Sequence, residues 1–151
     1  MAGSIGTTYS FLDLSGSLLS PVAGTLLFGG QLGIGHITFI NTTEHTAQDT
    51  ASDGVVMPSF VAGDAGAIQI ECQQTSLAHK FLVSWLNYLK TASMGGDISN
   101  WASSFGAWRN TVDGSVHQAY GISPQKIPDK SYAAQGGRVT WTLPVCSLTS
   151  M

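Results

Sequence analysis

Charge is what this sequence has least of. Six Lys and Arg and nine Asp and Glu make up 10% of its 151 residues, where a soluble domain ordinarily carries roughly 25%. The basic residues (Lys80, Lys90, Arg109, Lys126, Lys130 and Arg138) are scattered, and the formal net charge is −3. A sequence-independent nucleic-acid binder needs a basic stripe to neutralise phosphates, so that class is excluded. A mildly acidic wall suits a passage along which DNA slides without sticking. Cysteine is nearly absent as well: Cys72 and Cys146 stand far apart and could pair or stay free. The opening Met1-Ala2-Gly3-Ser4-Ile5-Gly6 has neither a basic start nor an apolar core. Signal-dependent export is therefore not expected, and reduced thiols in a cytoplasm are the default. Without export, the sequon at Asn41-Thr42-Thr43 has no consequence. No run approaches the roughly 18 apolar residues a membrane span requires, so no membrane association is expected.

Ser, Thr, Gln, Asn and 18 Gly take the place of charge. They are arranged in alternating segments such as residues 67–73 and 138–145. A surface that is polar but hardly charged suits a subunit packed against copies of itself, because little charge must be desolvated at each contact. That composition points to an assembly protein before an enzyme. At 15.8 kDa the chain fits one domain over residues 1–151, large enough to bury a core without disulfide or metal support.

The pattern is mainly β. Strands are expected over 8–14, continuing over 15–19 after a bend at Gly16, then over 25–28, 36–40, 67–73, 108–112, 116–121 and 137–145. Pro21-Val22-Ala23-Gly24 reads as a turn. Asp53-Gly54 and Asp113-Gly114 are two-residue hairpin signals. Residues 41–57 are polar, lose their apolar pattern and read as a projecting flap, and residues 1–8 read as an N-terminal arm. Residues 123–135, holding Pro124, Pro128 and most of the late charge, form a surface loop. One helix stands out: Thr75-Ser76 offers a capping hydroxyl, and Leu77, Phe81, Trp85 and Leu89 recur every four residues beside Ala78, Leu82 and Leu86. His79, Lys80, Ser84, Asn87 and Lys90 take its other positions. It should end near 91–94, before Gly95-Gly96. The expected fold is an antiparallel β-sandwich or barrel of about seven strands with this amphipathic helix packed on it.

No constellation of catalytic residues emerges. His36, His45, His79 and His117 show no paired ligand spacing, so no metal is expected. Gly29–Gly35 leads into a strand pattern, not a helix N-terminus, and lacks Gly-Lys-Ser/Thr, which removes a phosphate loop. There is no Gly-x-Ser-x-Gly elbow. A glycosidase pair such as Glu44 with Glu71 can be imagined, but nothing selects it. Trp85 and Trp141 read as core, while Trp101 and Trp108 leave open a sugar-stacking surface.

The order of features carries a resemblance. Thr8-Tyr9-Ser10-Phe11-Leu12-Asp13-Leu14 is followed by a Gly-rich approach to Gly35-His36-Ile37-Thr38-Phe39. Then come Ala51-Ser52-Asp53-Gly54-Val55-Val56-Met57, Gly66-Ala67-Ile68-Gln69-Ile70 and the Gln73-Gln74-Thr75-Ser76 cap, with a Gly-Arg-Val-Thr-Trp-Thr strand closing the chain. Over roughly residues 7–146 this resembles the tail tube (inner tube) proteins of contractile-tailed bacteriophages, in particular a short group of phage structural proteins. His36, His45 and the low charge around the flap depart from the pattern of that group.

The resemblance implies a non-enzymatic structural subunit without cofactor, forming six-fold rings stacked head to tail around a channel. Its partners would be itself, the tail sheath, baseplate and tail-terminator proteins and a tape-measure protein, with DNA crossing the lumen without specific binding. Its place would be the virion tail, after assembly in the host bacterial cytoplasm. Contacts between subunits and rings are expected from Glu44, His45, Gln48, Asp49 and Asp53 in the flap and Lys126, Asp129 and Lys130 in the late loop. Gln69, Glu71 and Gln73 are candidates for the lumen wall; a solvated sheet face is the plainer alternative. A pyocin or type VI secretion tube would have the same subunit chemistry. From a different class, a carbohydrate-binding β-sandwich would use Trp101 and Trp108.

Overall fold

The computed structural model describes residues 14–21, 24–28 and 34–151. The expected arm over 1–8, most of the 8–14 strand and Gly29–Gly33 lie outside the described residues. Within them the order is β1 (Leu14–Ser20), β2 (Gly24–Phe28), β3 (Ile34–Asn41), β4 (Thr46–Thr50), β5 (Val56–Phe60), β6 (Gly66–Gln73), α1 (Leu77–Met94), β7 (Ser104–Asn110), β8 (Val116–Ile122) and β9 (Arg138–Ser150). Seven strands form one antiparallel sheet in the order β2-β1-β7-β8-β9-β6-β3, and β4 pairs with β5 in a separate hairpin. The mainly β fold with one helix is as the sequence pattern predicts.

Aromatic contacts show that the sheet is curled. β3 and β7 stand four strand spacings apart, about 19 Å in a flat sheet. Yet Phe39 of β3 has its ring 5.2 Å from that of Trp108 on β7, and it stacks on His117 of β8 at 4.1 Å. Phe28 of β2 meets the same indole edge-on at 5.6 Å. The concave side is therefore the core. Trp108 fits there because Gly16 and Gly106 flank it: a Cβ at either would come within 2.6 Å of the indole.

The helix covers the concave side. Ser76 caps it, its Oγ accepting the His79 N–H at 3.2 Å and donating to the Gln73 carbonyl at 2.6 Å. It stops at Met94, where the N–H groups of Gly95, Gly96 and Asp97 take up carbonyls of the last turn. The buried seam differs from the expected one. Ala78, His79, Leu82, Trp85, Leu86 and Leu89 are buried, whereas Leu77 is 65% exposed. Four-residue steps drift about 40° each around a helix of 3.6 residues per turn, so Leu77 falls off the stripe that Leu89 anchors. His79 goes inside because Trp141 Nε1 donates to its Nδ1 at 3.0 Å.

β9 runs five residues past the expected end at Val145, to Ser150. Its buried phase slips between Val145 and Leu148, and that of β8 slips between Ala119 and Ile122. The two irregularities face each other at Gly121, whose φ of 73° suits glycine and whose Cβ would sit 2.7 Å from Cys146 Cβ. Such a paired irregularity bends a sheet locally.

Candidate assembly surfaces

Alternation gives the sheet a second, convex face. On β6, Ile68, Ile70 and Cys72 turn inward, while Gln69, Glu71 and Gln73 turn outward. Their register partners on β9 are Thr142, Thr140 and Arg138, and on β3 Thr38 and His36 oppose Gln69 and Glu71. This half of the convex face is polar, and its charge is matched: Arg138 Nη1 donates to Glu71 Oε1 at 3.2 Å. An exposed pair of this kind adds little stability.

In the region read as a flap, β4 and β5 pair as a separate hairpin that begins at Thr46 and reaches beyond Met57 to Phe60. All residues of β4 and β5 are exposed. This explains the lost apolar pattern: neither face is buried, so no alternation is required. Asp53 Oδ1 accepts the Val55 N–H at 3.1 Å in its turn. At its root the Val61 N–H donates to the His45 carbonyl, and Leu148 N–H donates to the Asp64 carbonyl. His45 Nε2 lies 3.9 Å from Asp64 Oδ1. Glu44, Gln48, Asp49 and Asp53 are all exposed.

The late loop leaves β8 and follows β9 for a few residues, Ser123 N–H donating to Pro144 and Gln125 N–H to Thr142. It returns to the sheet where Gln74 N–H meets the Gly137 carbonyl. Lys126, Asp129 and Lys130 are exposed. Lys130 sits 5.4 Å over the Tyr132 ring. It is also near enough to His79 to hold that imidazole down, after burial, the larger cause. Flap and loop residues are thus not brought together within one chain. The flap springs from the Gly66 end of β6, while Lys130 approaches the helix that follows its Gln73 end.

Other readings lose their residues. Trp108 is 1% exposed, so the sugar surface that needed it is gone. Trp101 is half-buried against the core, its Nε1 donating to Ser93 Oγ. Cys72 is buried on the concave side and Cys146 is exposed, both as free thiols. Among the described residues, no three His, Cys, Asp or Glu side chains converge as metal ligands would. A cleft of about 310 Å³ between β3 and the β7–β8 turn is lined by His36, Phe39, Asp113 and His117 among others. His117 is already engaged there, stacked on Phe39 and bonded through Nδ1 to Ser150 Oγ at 2.8 Å. Among the described residues no helix is long and apolar enough to cross a membrane.

The chain is similar to a protein in the cryo-EM structure of an extracellular contractile injection system, the PVC sheath/tube terminator in its extended state. The TM-score is 0.63 at 9% identity, covering 98% of this chain and 99% of the other. It is also similar to a chain of the PVC sheath-tube complex (TM-score 0.62, 10% identity, 97% and 93% covered). A third is in the tube-terminating cap of the anti-feeding prophage (TM-score 0.60, 11% identity, 99% and 96% covered). At such identities the likeness is one of fold. No curated protein matches the sequence. The family is shown by the sequence itself: residues 6–151 match the family of the bacteriophage PhiTE tail tube protein, and the chain belongs to it. It is a structural component of a phage tail tube.

Proposed function

We propose that copies of this chain form hexameric rings stacked head to tail into a hollow tube that works without catalysis or cofactor. The observation that carries this is the β4–β5 hairpin, exposed along its whole length and, among the described residues, tied by backbone hydrogen bonds at its root. A hairpin that buries nothing in its own subunit is marginal alone and gains its burial against another copy. Its acidic residues, Glu44, Asp49 and Asp53, would face Lys126 and Lys130 of the next copy, with His45, Gln48 and Asp129 beside them. A contact between two different patches is heterologous, and along the axis it does not close, so it builds a filament. Gln69, Glu71 and Gln73 would line the bore, presenting polar, charge-compensated groups past which DNA moves without specific binding.

Sheath would surround this tube, terminator and baseplate proteins would meet its ends, and a tape-measure protein would occupy it before DNA. Assembly would take place in the host bacterial cytoplasm, with no membrane partner. A tube of a pyocin or type VI-like machine is the second reading, supported by the likeness of fold to injection-system proteins. Replacing residues 46–60 by a short Gly-Ser connection tests the proposal. A folded chain that sediments as a monomer and forms no tubes is expected; tubes like those of the unaltered chain would overturn it.

A further inference from the structure

The convex face is not uniform. Over β9, β6 and β3 it is polar, but over β2, β1, β7 and β8 it carries an apolar patch. Leu19 of β1 stands opposite Phe105 of β7, which stands opposite Tyr120 of β8. The two aromatic rings stack at 6.4 Å. Leu27 of β2 lies diagonally beside Leu19, whose own partner is Thr25. Phe105, Tyr120 and Leu27 are 42%, 56% and 66% exposed. Strands β1, β2 and β8 contain no Lys, Arg, Asp or Glu, and β7 contains only Arg109. Such a patch is unsuited to a channel wall and suited to being covered.

A second uncharged apolar surface lies on the hairpin. The β4–β5 register sets Thr46 opposite Phe60, Gln48 opposite Pro58 and Thr50 opposite Val56. Those pairs share one face, because side chains alternate along each strand. Asp49, paired with Met57, points to the other face. Phe60 is 82% exposed and Val56 46%. Within one chain neither surface covers the other.

We propose that the Val56–Pro58–Phe60 face of one copy's hairpin covers the Leu19–Phe105–Tyr120 patch of a second copy. This rests on the tube reading and deepens it by naming the seat of the hairpin. The two surfaces match in lacking charge: the Leu19–Phe105–Tyr120 row and the Val56–Pro58–Phe60 face carry none, Arg109 standing four residues along β7 from Phe105, so contact strips water from apolar groups without desolvating an ion. The geometry also joins the two contacts of the hairpin. The late loop with Lys126 leaves β8 just beyond Tyr120. One hairpin therefore meets the patch with its neutral face and the basic loop with its Asp49 face. The polar half over β6 and β9 stays free for the bore.

The chain provides its own reporter. Cys146 is exposed next to Ser147, the register partner of Tyr120, and Cys72 is buried. Full-length Gln48→Cys, on the neutral hairpin face, is assembled and treated with a short bismaleimide. A ladder of cross-linked chains is expected, at least tenfold stronger than for Asp49→Cys on the opposite face. Tubes of Gln48→Cys without a ladder, or with equal ladders for the two variants, would overturn the proposal. In parallel, Tyr120→Lys should raise the concentration needed for tubes at least tenfold while leaving monomer unfolding unchanged. Tubes of Tyr120→Lys at the unaltered concentration would refute the seat but leave the tube reading intact. An unaltered chain that never assembles would refute both.

Discussion

The buried pair of His79 and Trp141 joins helix to sheet, and it should govern how stability responds to pH. Trp141 Nε1 donates to His79 Nδ1 at 3.0 Å, with Trp141 fully buried and His79 nearly so. The imidazole is thus neutral and carries its proton on Nε2. Replacing His79 by Leu removes the acceptor and leaves an indole N–H unpaired in the core, which costs about 1–3 kcal/mol. For a domain of this size 1 kcal/mol is about 2–4 °C in Tm, so a fall of about 2–12 °C is expected at pH 7.5.

Burial, and then Lys130, hold the His79 pKa below its ordinary value. The unfolded chain takes up the proton near pH 6.5 and the folded chain resists it. Stability from this group is therefore full above pH 6.5 and is lost as pH falls toward the depressed value. His117 is lowered too, by burial, with Asp113 opposing, so its share has the same sign and survives in the variant. Thermal and urea unfolding followed by tryptophan fluorescence, below the assembly concentration, measure the two effects. The gap between the unaltered chain and His79→Leu should narrow from pH 7.5 to 5.5, and His79→Gln, which keeps an acceptor, should recover part of the loss. A gap unchanged with pH, or no gap at pH 7.5, would refute the reasoning.

Two further substitutions probe the frame of the curled sheet. Gly106→Ala would set a Cβ 2.6 Å from the Trp108 ring and 2.7 Å from the Ser17 carbonyl oxygen. Because backbone cannot yield easily, a loss of about 1–3 kcal/mol is expected in urea unfolding. Ser76→Ala removes the helix cap and should cost about 1 kcal/mol by the same measurement; an unchanged midpoint would mean that the helix start is held otherwise.

The parts of this fold that depend on near neighbours were legible in the sequence. The Ser76 cap, the stop before Gly95-Gly96, the alternation of Ala67–Gln73 and the turns at Asp53-Gly54 and Asp113-Gly114 all follow from contacts within a few residues. What depends on distant partners was not. His79 reads as a surface residue until Trp141, far along the chain, supplies its hydrogen bond. Cys146 hides the continuation of β9, because the slip at Gly121 breaks the period on which a strand is recognised. Phe39 gives no sign that it will meet Trp108 and His117 across the curl. Gln69, Glu71 and Gln73 declare their face by alternation, but the neighbour or void they look onto belongs to the assembly. The apolar row Leu19–Phe105–Tyr120 is invisible in sequence because each member comes from a different strand.

Cryo-electron microscopy of the purified full chain, assembled at high concentration, tests the central claim most directly. Hollow tubes of constant diameter are expected, built from rings with α1 outward and Gln69, Glu71 and Gln73 on the channel wall. Chains that stay monomeric at every concentration, or tubes whose channel is lined by α1 or by Phe105 and Tyr120, would contradict it.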